Sequence, residues 1–152
     1  MMPAYSKAQQ YARLRDEQFS LFEDYARKHG MNSKSLLVFM WIYHNQEGLS
    51  QERIAKKTFS SKQVVQAIVK NYVKKGWLYL EPSKVDKRKK LVRLTEKGLS
   101  NTAQLLDPLE YYEAKAMENL SAKEQEELLR TTQVFSQHLK TLLEAHQVIK
   151  ND

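Results

Sequence analysis

Apolar positions along the chain fall at helical spacing in every segment but one. From Lys7 to His29, Tyr11, Leu14, Phe19, Phe22, Tyr25 and Ala26 lie near the i, i+3, i+4 positions of a helix. Gly30 ends it, with Lys28 and His29 in the last turn, where cations suit the helix dipole. A second helix, capped by Ser33, runs to about Gln46 before Gly48 stops it. It is apolar nearly all round, which predicts burial. Ser50 caps a short third helix from Gln51 to about Lys57, with Ile54 and Ala55 inward. Ser60 or Ser61 opens a fourth, and Ser60 with Gln63 has capping-box spacing. Val65, Ile68, Val69, Tyr72 and Val73 make its buried stripe, which turns Lys62, Gln63, Gln66, Lys70 and Asn71 outward until Gly76 stops the helix.

The exception follows at once. Trp77-Leu78-Tyr79-Leu80-Glu81 reads as a strand, Pro82 to Lys90 as a basic loop, and Leu91-Val92-Arg93-Leu94 as the return strand. Thr95 then caps a long helix to about Asn119, with Pro108 inside it expected to bend it. Ser121 and Glu124 form a capping box for a last helix to about His146, which carries Leu128, Phe135, Leu139, Leu142 and Leu143 on one side. There is no internal repeat and no low-complexity segment. Four helices, a hairpin and two helices give a mainly α fold with a small β-hairpin wing, a winged helix-turn-helix of six helices. The first and last helices have apolar stripes with nothing evident in the chain to cover both, which points to an intertwined homodimer. The alternative is that they cover each other within one chain.

Length and composition narrow the class. With 152 residues, 41% hydrophobic and 28% charged, the chain suits one soluble globular domain. The absence of cysteine excludes disulfides, thiolate metal sites and cysteine-based redox sensing. Its longest apolar run, Leu36 to Tyr43, is far short of the roughly 20 residues of a membrane helix, so no membrane association is expected. Pro3, Gln9, Gln10, Arg13 and Arg15 argue against a secretory peptide, and a cytoplasmic location is the default. The net charge of +7 is unevenly placed: Leu49 to Arg93 holds 13 Lys/Arg against 3 Asp/Glu, and the remainder carries an acidic excess. A basic centre between near-neutral or acidic helices is the footprint of a nucleic-acid module with separate partner-binding ends.

The chemistry gathers in that centre. A helix fits the major groove, where glutamine pairs with adenine, lysine reaches guanine or phosphate, and Val64 could sit against a thymine methyl. Lys62, Gln63, Gln66, Lys70 and Asn71 present such groups. Ser61 stands at the helix start, and Ser50 and Gln51 at the preceding one are placed to donate to phosphate. The loop offers Lys84, Lys87, Arg88, Lys89 and Lys90 to the minor groove, where an arginine senses width and potential.

From about Leu49 to Gly98 the sequence resembles the winged helix of the MarR family of bacterial transcription regulators. The segment from Leu49 to Lys57 resembles that family's third helix. Asp86-Lys87-Arg88 with the run from Leu91 to Gly98 resembles its wing and the start of its fifth helix. The outer helices match in pattern rather than in specific residues. The resemblance implies a dimer whose first and last helices interlock, two winged lobes on a palindromic operator, and Arg88 in the minor groove. It also implies a structural role for Asp86, which would orient Arg88 or tie down the hairpin. On this reading, residues 1–152 form one domain: 1–30 and 121–152 dimerise, 49–98 bind DNA and 95–120 connect. Two positions depart from the family pattern: Phe59 stands where a small residue such as glycine is usual, and Ala67 where a polar or basic residue is common.

Family members often bind small aromatic compounds between the lobes, so Trp41, Tyr43, Tyr111 and Tyr112 are the candidate effector pocket. Aromatic residues in buried helices are also ordinary core. His29, His44, His138 and His146 are scattered, with Glu47 near His44 the only neat helical pair, so neither metal nor other cofactor is expected. The leading reading is a sequence-specific dimeric regulator, a repressor on double-stranded DNA relieved by a small aromatic effector. Its alternative is a non-specific architectural DNA binder using phosphates almost alone. A winged helix that binds protein comes third. An enzyme is disfavoured, since there is no glycine-rich phosphate loop, metal-ligand spacing or activated nucleophile.

Overall fold

A computed structural model of the chain describes residues 3–148. Residues 1–2 and 149–152, the outer tips of the segments expected to dimerise, lie outside the described residues. The elements run α1 (Pro3–Lys28), α2 (Ser33–Tyr43), β1 (Leu49–Ser50), α3 (Gln51–Lys57), α4 (Lys62–Lys74), β2 (Leu78–Pro82), β3 (Lys90–Leu94), α5 (Glu96–Met117) and α6 (Ala122–Ala145). This is the expected winged helix-turn-helix with six helices. The chain forms two compact units that divide between Asp107 and Pro108, within α5.

In the first unit the core is built where the helical and alternating patterns meet. Phe39 and Ile42 of α2, Ile54 of α3, Val65 and Val69 of α4, Leu78 of β2, Val92 of β3 and Leu106 of α5 are all essentially removed from solvent. Phe39, Tyr72 and Trp77 pack edge-on, with ring centroids 4.7 to 5.5 Å apart, and so join α2, α4 and the entry to β2. Such edge contacts put the positive rim of one ring on the negative face of the next. Tyr25 of α1 donates to the Leu105 carbonyl at 2.7 Å, and Tyr43 of α2 to the Asp107 carboxylate at 2.8 Å.

The hairpin gains a strand that the alternation does not reveal. β1 pairs antiparallel with β3, giving the order β1-β3-β2, with Leu49 opposite Val92 and Leu80 opposite the same residue on the other side. Two residues are too short for alternation to register. Their position is legible only in Gly48, at φ +109°, where a Cβ would lie 2.8 Å from Leu91 Cβ.

Several boundaries differ from the sequence expectation. α1 begins at Pro3 rather than Lys7, because proline's fixed φ suits a first helical position. Asn32, not Ser33, caps α2, accepting from the Ser35 amide at 2.8 Å, and the helix ends at Tyr43 rather than Gln46. Ser61 caps α4 by accepting from the Val64 amide, so the capping box proposed for Ser60 and Gln63 does not form; the Ser60 hydroxyl bonds Thr58 instead. Val73 lies at the edge of its stripe and is exposed.

Three helix ends close in the same way. After α1, α3 and α4, a residue in the left-handed region donates three positions back while the next amide donates five back. Gly30 and Gly76 fill two of these positions, and Phe59, at φ +52°, fills the third. In the second unit, Ser121 and Glu124 exchange both bonds of the expected capping box, and Gln125 donates to the carbonyls of Met117 and Leu120.

Candidate nucleic-acid interface

α4 presents the surface that its apolar stripe leaves free. Val65, Ile68, Val69 and Tyr72 face the core, so Lys62, Gln63, Val64, Gln66, Ala67 and Lys70 are all exposed. Ser61, immediately before the helix, spends one lone pair on the cap and keeps its hydroxyl proton for another acceptor. Asn71 is exposed too, but borders a hollow with Asn32 and Lys75 at the far end of the helix.

Residues 83–89 tie the wing down with a small set of local bonds. The Ser83 hydroxyl accepts from the amides of Val85 and Asp86, and the Ser83 amide donates to the Lys89 carbonyl at 2.8 Å. The Asp86 carboxylate accepts from the Arg88 amide at 3.1 Å and from Arg88 Nε at 3.4 Å. These bonds fix the backbone beneath Arg88 while its side chain stays 93% exposed. The guanidinium is therefore presented rather than consumed. Lys62, Lys70, Lys84, Lys87, Lys89 and Lys90 are exposed, and none has an acid within ion-pair distance among the described residues. Unpaired cations of one sign concentrate potential on the surface that carries them.

Arg93 behaves differently. Its guanidinium donates to Glu81 at 2.9 Å and to the Gln46 carbonyl at 3.1 Å, and lies 5.9 Å from the Tyr79 ring centroid. The bond to Glu81 holds its pKa above the ordinary guanidinium value. Its charge therefore serves the hairpin. At the start of α3, Ser50 caps by accepting from the Arg53 amide, whereas Gln51 turns its side-chain oxygen into a buried position without a hydrogen-bond partner.

The aromatic candidates are divided between the two units. Trp41 is half-buried, with Lys57 Nζ 5.2 Å from its ring centroid, and borders a surface hollow with Arg53, Lys56, Lys57 and Phe59. Tyr43 does not line that hollow. Tyr111 and Tyr112 belong to the second unit, where they are exposed and touch each other edge-on at 5.9 Å. The three cations of the hollow were not among the candidate residues; their i, i+3, i+4 spacing on α3 is the signal that marks them. Among the described residues, no cluster of His, Asp or Glu is placed to hold a metal, and no helix is long and apolar enough to cross a membrane.

Comparison with known proteins agrees with this geometry. Residues 29–89 match the model of the MarR family. No curated protein matches the sequence. Among solved structures, a MarR family regulator from Neisseria meningitidis is similar over 93% of this chain and 99% of its own, with a TM-score of 0.79 at 18% identity. The MepR–DNA complex of Staphylococcus aureus is similar over 88% of this chain and 97% of its own, with a TM-score of 0.72 at 19% identity. A mutant MarR from E. coli complexed with operator DNA covers 84% and 91%, with a TM-score of 0.68 at 19% identity. At these identities the likeness is one of fold.

Proposed function

From the match of residues 29–89 to the model of the MarR family, we propose that this chain is a sequence-specific transcription regulator of the cytoplasm that represses by occupying operator DNA as a homodimer. The observation that carries the reading is the pairing of two exposed surfaces: the amide-bearing face of α4 and the clamped wing with its unpaired cations. Two solved proteins of similar fold, MepR and MarR, are held in complexes with DNA and operator DNA, which supports DNA as the partner here.

In this reading α4 enters the major groove, with Gln63 and Gln66 toward base edges and Lys62 and Lys70 toward phosphates. Arg88 enters the adjacent minor groove, and Lys84, Lys87 and Lys89 follow the backbone beside it. The hydroxyls of Ser50 and Ser61 and the amide of Gln51 add phosphate contacts at two helix starts. Asp86 is a positioning residue, acting through Arg88. Two lobes related by a two-fold axis would read half-sites about one helical turn, roughly 10 bp, apart. A small aromatic effector near Trp41, Tyr43, Tyr111 or Tyr112 would act by changing that spacing.

Selection from a random DNA pool at near-physiological salt tests the proposal. An enriched palindrome supports a dimeric reader. Retention of DNA without any motif, with strongly salt-dependent affinity, would instead mark an architectural binder that uses phosphates alone.

A further inference from the structure

The exposed face of α4 has a chemical bias that general DNA binding does not require. Between Lys62 and Lys70 it offers two amides, Gln63 and Gln66, and two apolar groups, Val64 and Ala67. The helix contains no arginine, aspartate or glutamate. Arginine is the commonest reader of guanine, and acids accept from cytosine, so the usual partners of G·C pairs are missing here, lysine excepted. What remains matches the other pair: glutamine donates to and accepts from adenine, and a small apolar group covers the 5-methyl of thymine. Val64 is left 42% exposed while Val65 beside it is fully buried, so its methyls are available to a ligand rather than to the core.

The wing points the same way by a separate route. Arg88 is the only arginine of the loop, and Asp86 holds its backbone amide and its Nε while the side chain stays 93% exposed. A guanidinium gains most where the minor groove is narrow and its potential deep, as over A·T tracts, and the guanine 2-amino group obstructs that floor.

We infer that the DNA selected by this chain is A·T-rich in each half-site, with a thymine methyl seated against Val64 and Ala67, adenine read by Gln63 and Gln66, and Arg88 over a narrow A·T minor groove. The inference rests on the proposed regulator function and specifies its target. Lys62 and Lys70 flank the readers as phosphate contacts.

Base analogues test each groove separately, using the selected operator and fluorescence anisotropy. Replacing single thymines by deoxyuridine removes only the 5-methyl; at one position in each half-site it should weaken binding about threefold to fivefold, the worth of one buried methyl. Val64→Ala should shrink that difference while leaving the melting temperature near the wild-type value. Under the wing, changing A·T to G·C should weaken binding. Inosine·cytosine, which restores an A·T-like minor groove floor, should recover it, and Arg88→Ala should respond to neither change. An operator with G·C pairs at the α4 positions, or indifference to deoxyuridine at every thymine, overturns the inference and leaves the regulator reading intact. A pool that enriches no motif overturns both.

Discussion

Phe59 occupies the left-handed position that Gly30 and Gly76 occupy at the equivalent helix ends, and it does so with a side chain that is 94% exposed. A residue with a Cβ costs about 1–2 kcal/mol there, and the exposed ring recovers little by burial. Phe59→Gly should therefore raise stability by about 0.5–1 kcal/mol, after allowing for glycine's larger entropy in the unfolded chain. Phe59→Ala should not, since alanine keeps the clashing Cβ. Denaturant melts of the two variants separate these outcomes, and equal effects would remove strain as the cause. The same scale shows what the sequence reveals and what it hides. That 59 is an unusual place for phenylalanine is visible from the resemblance to the family pattern. That Asn32 rather than Ser33 caps α2, and Ser61 rather than Ser60 caps α4, is not, because neighbouring residues of similar capping propensity compete and the turn before the helix decides. Gln51 is the same kind of case: its place at a helix start is legible, and the inward turn of its oxygen is not.

Helices, strands and their order were legible because each apolar stripe ends at a glycine or begins at a hydroxyl; β1 was not, because two residues carry no period. One junction between elements is unusually tight. A Cβ on Gly98 would lie 1.9 Å from the Trp77 carbonyl oxygen, where the first turn of α5 passes over the exit of α4. Thr95 fastens the same junction, its amide donating to Trp77 and its hydroxyl to the Gly76 carbonyl. Gly98→Ala must push backbone against backbone and should cost about 1–3 kcal/mol; an unchanged melting curve would mean that the junction yields without cost. Helix starts also set the response to acid. Hydrogen bonds from Ser33 hold the Glu23 carboxyl below its ordinary pKa, and the Ser121 amide does the same for Glu124. A depressed folded pKa means that the unfolded chain takes up the proton first. Their stabilisation is thus whole above about pH 4.3 and is lost as pH falls through the lower folded values. Glu124→Ala should lower the melting temperature at pH 6, and by less as the pH is taken down toward about 3. A gap of equal size at both ends would assign the effect to something other than the carboxylate.

At the scale of the molecule, the winged helix has a closed core and the outer helices do not. α1 buries only Ala26, and no residue of α6 is buried; Leu14 and Phe19 on the first and Leu139, Leu142 and Leu143 on the second remain open to solvent. Their periodicity was plain in the sequence, but a stripe names no partner, so which surface covers it could not be read from the chain. With the proposed homodimer as cover, Leu139→Asp should give a monomer by light scattering, because it would bury an unpaired carboxylate in an apolar seam. A variant that remains dimeric would place α6 outside the interface. The open leucines have a thermodynamic corollary. If a second copy supplies the missing half of the hydrophobic interior, association and folding share one equilibrium, and the melting temperature rises with the logarithm of protein concentration. Dilution then acts as a denaturant, and the number of copies in the cell sets how firmly each one holds its shape as well as how many operators are filled.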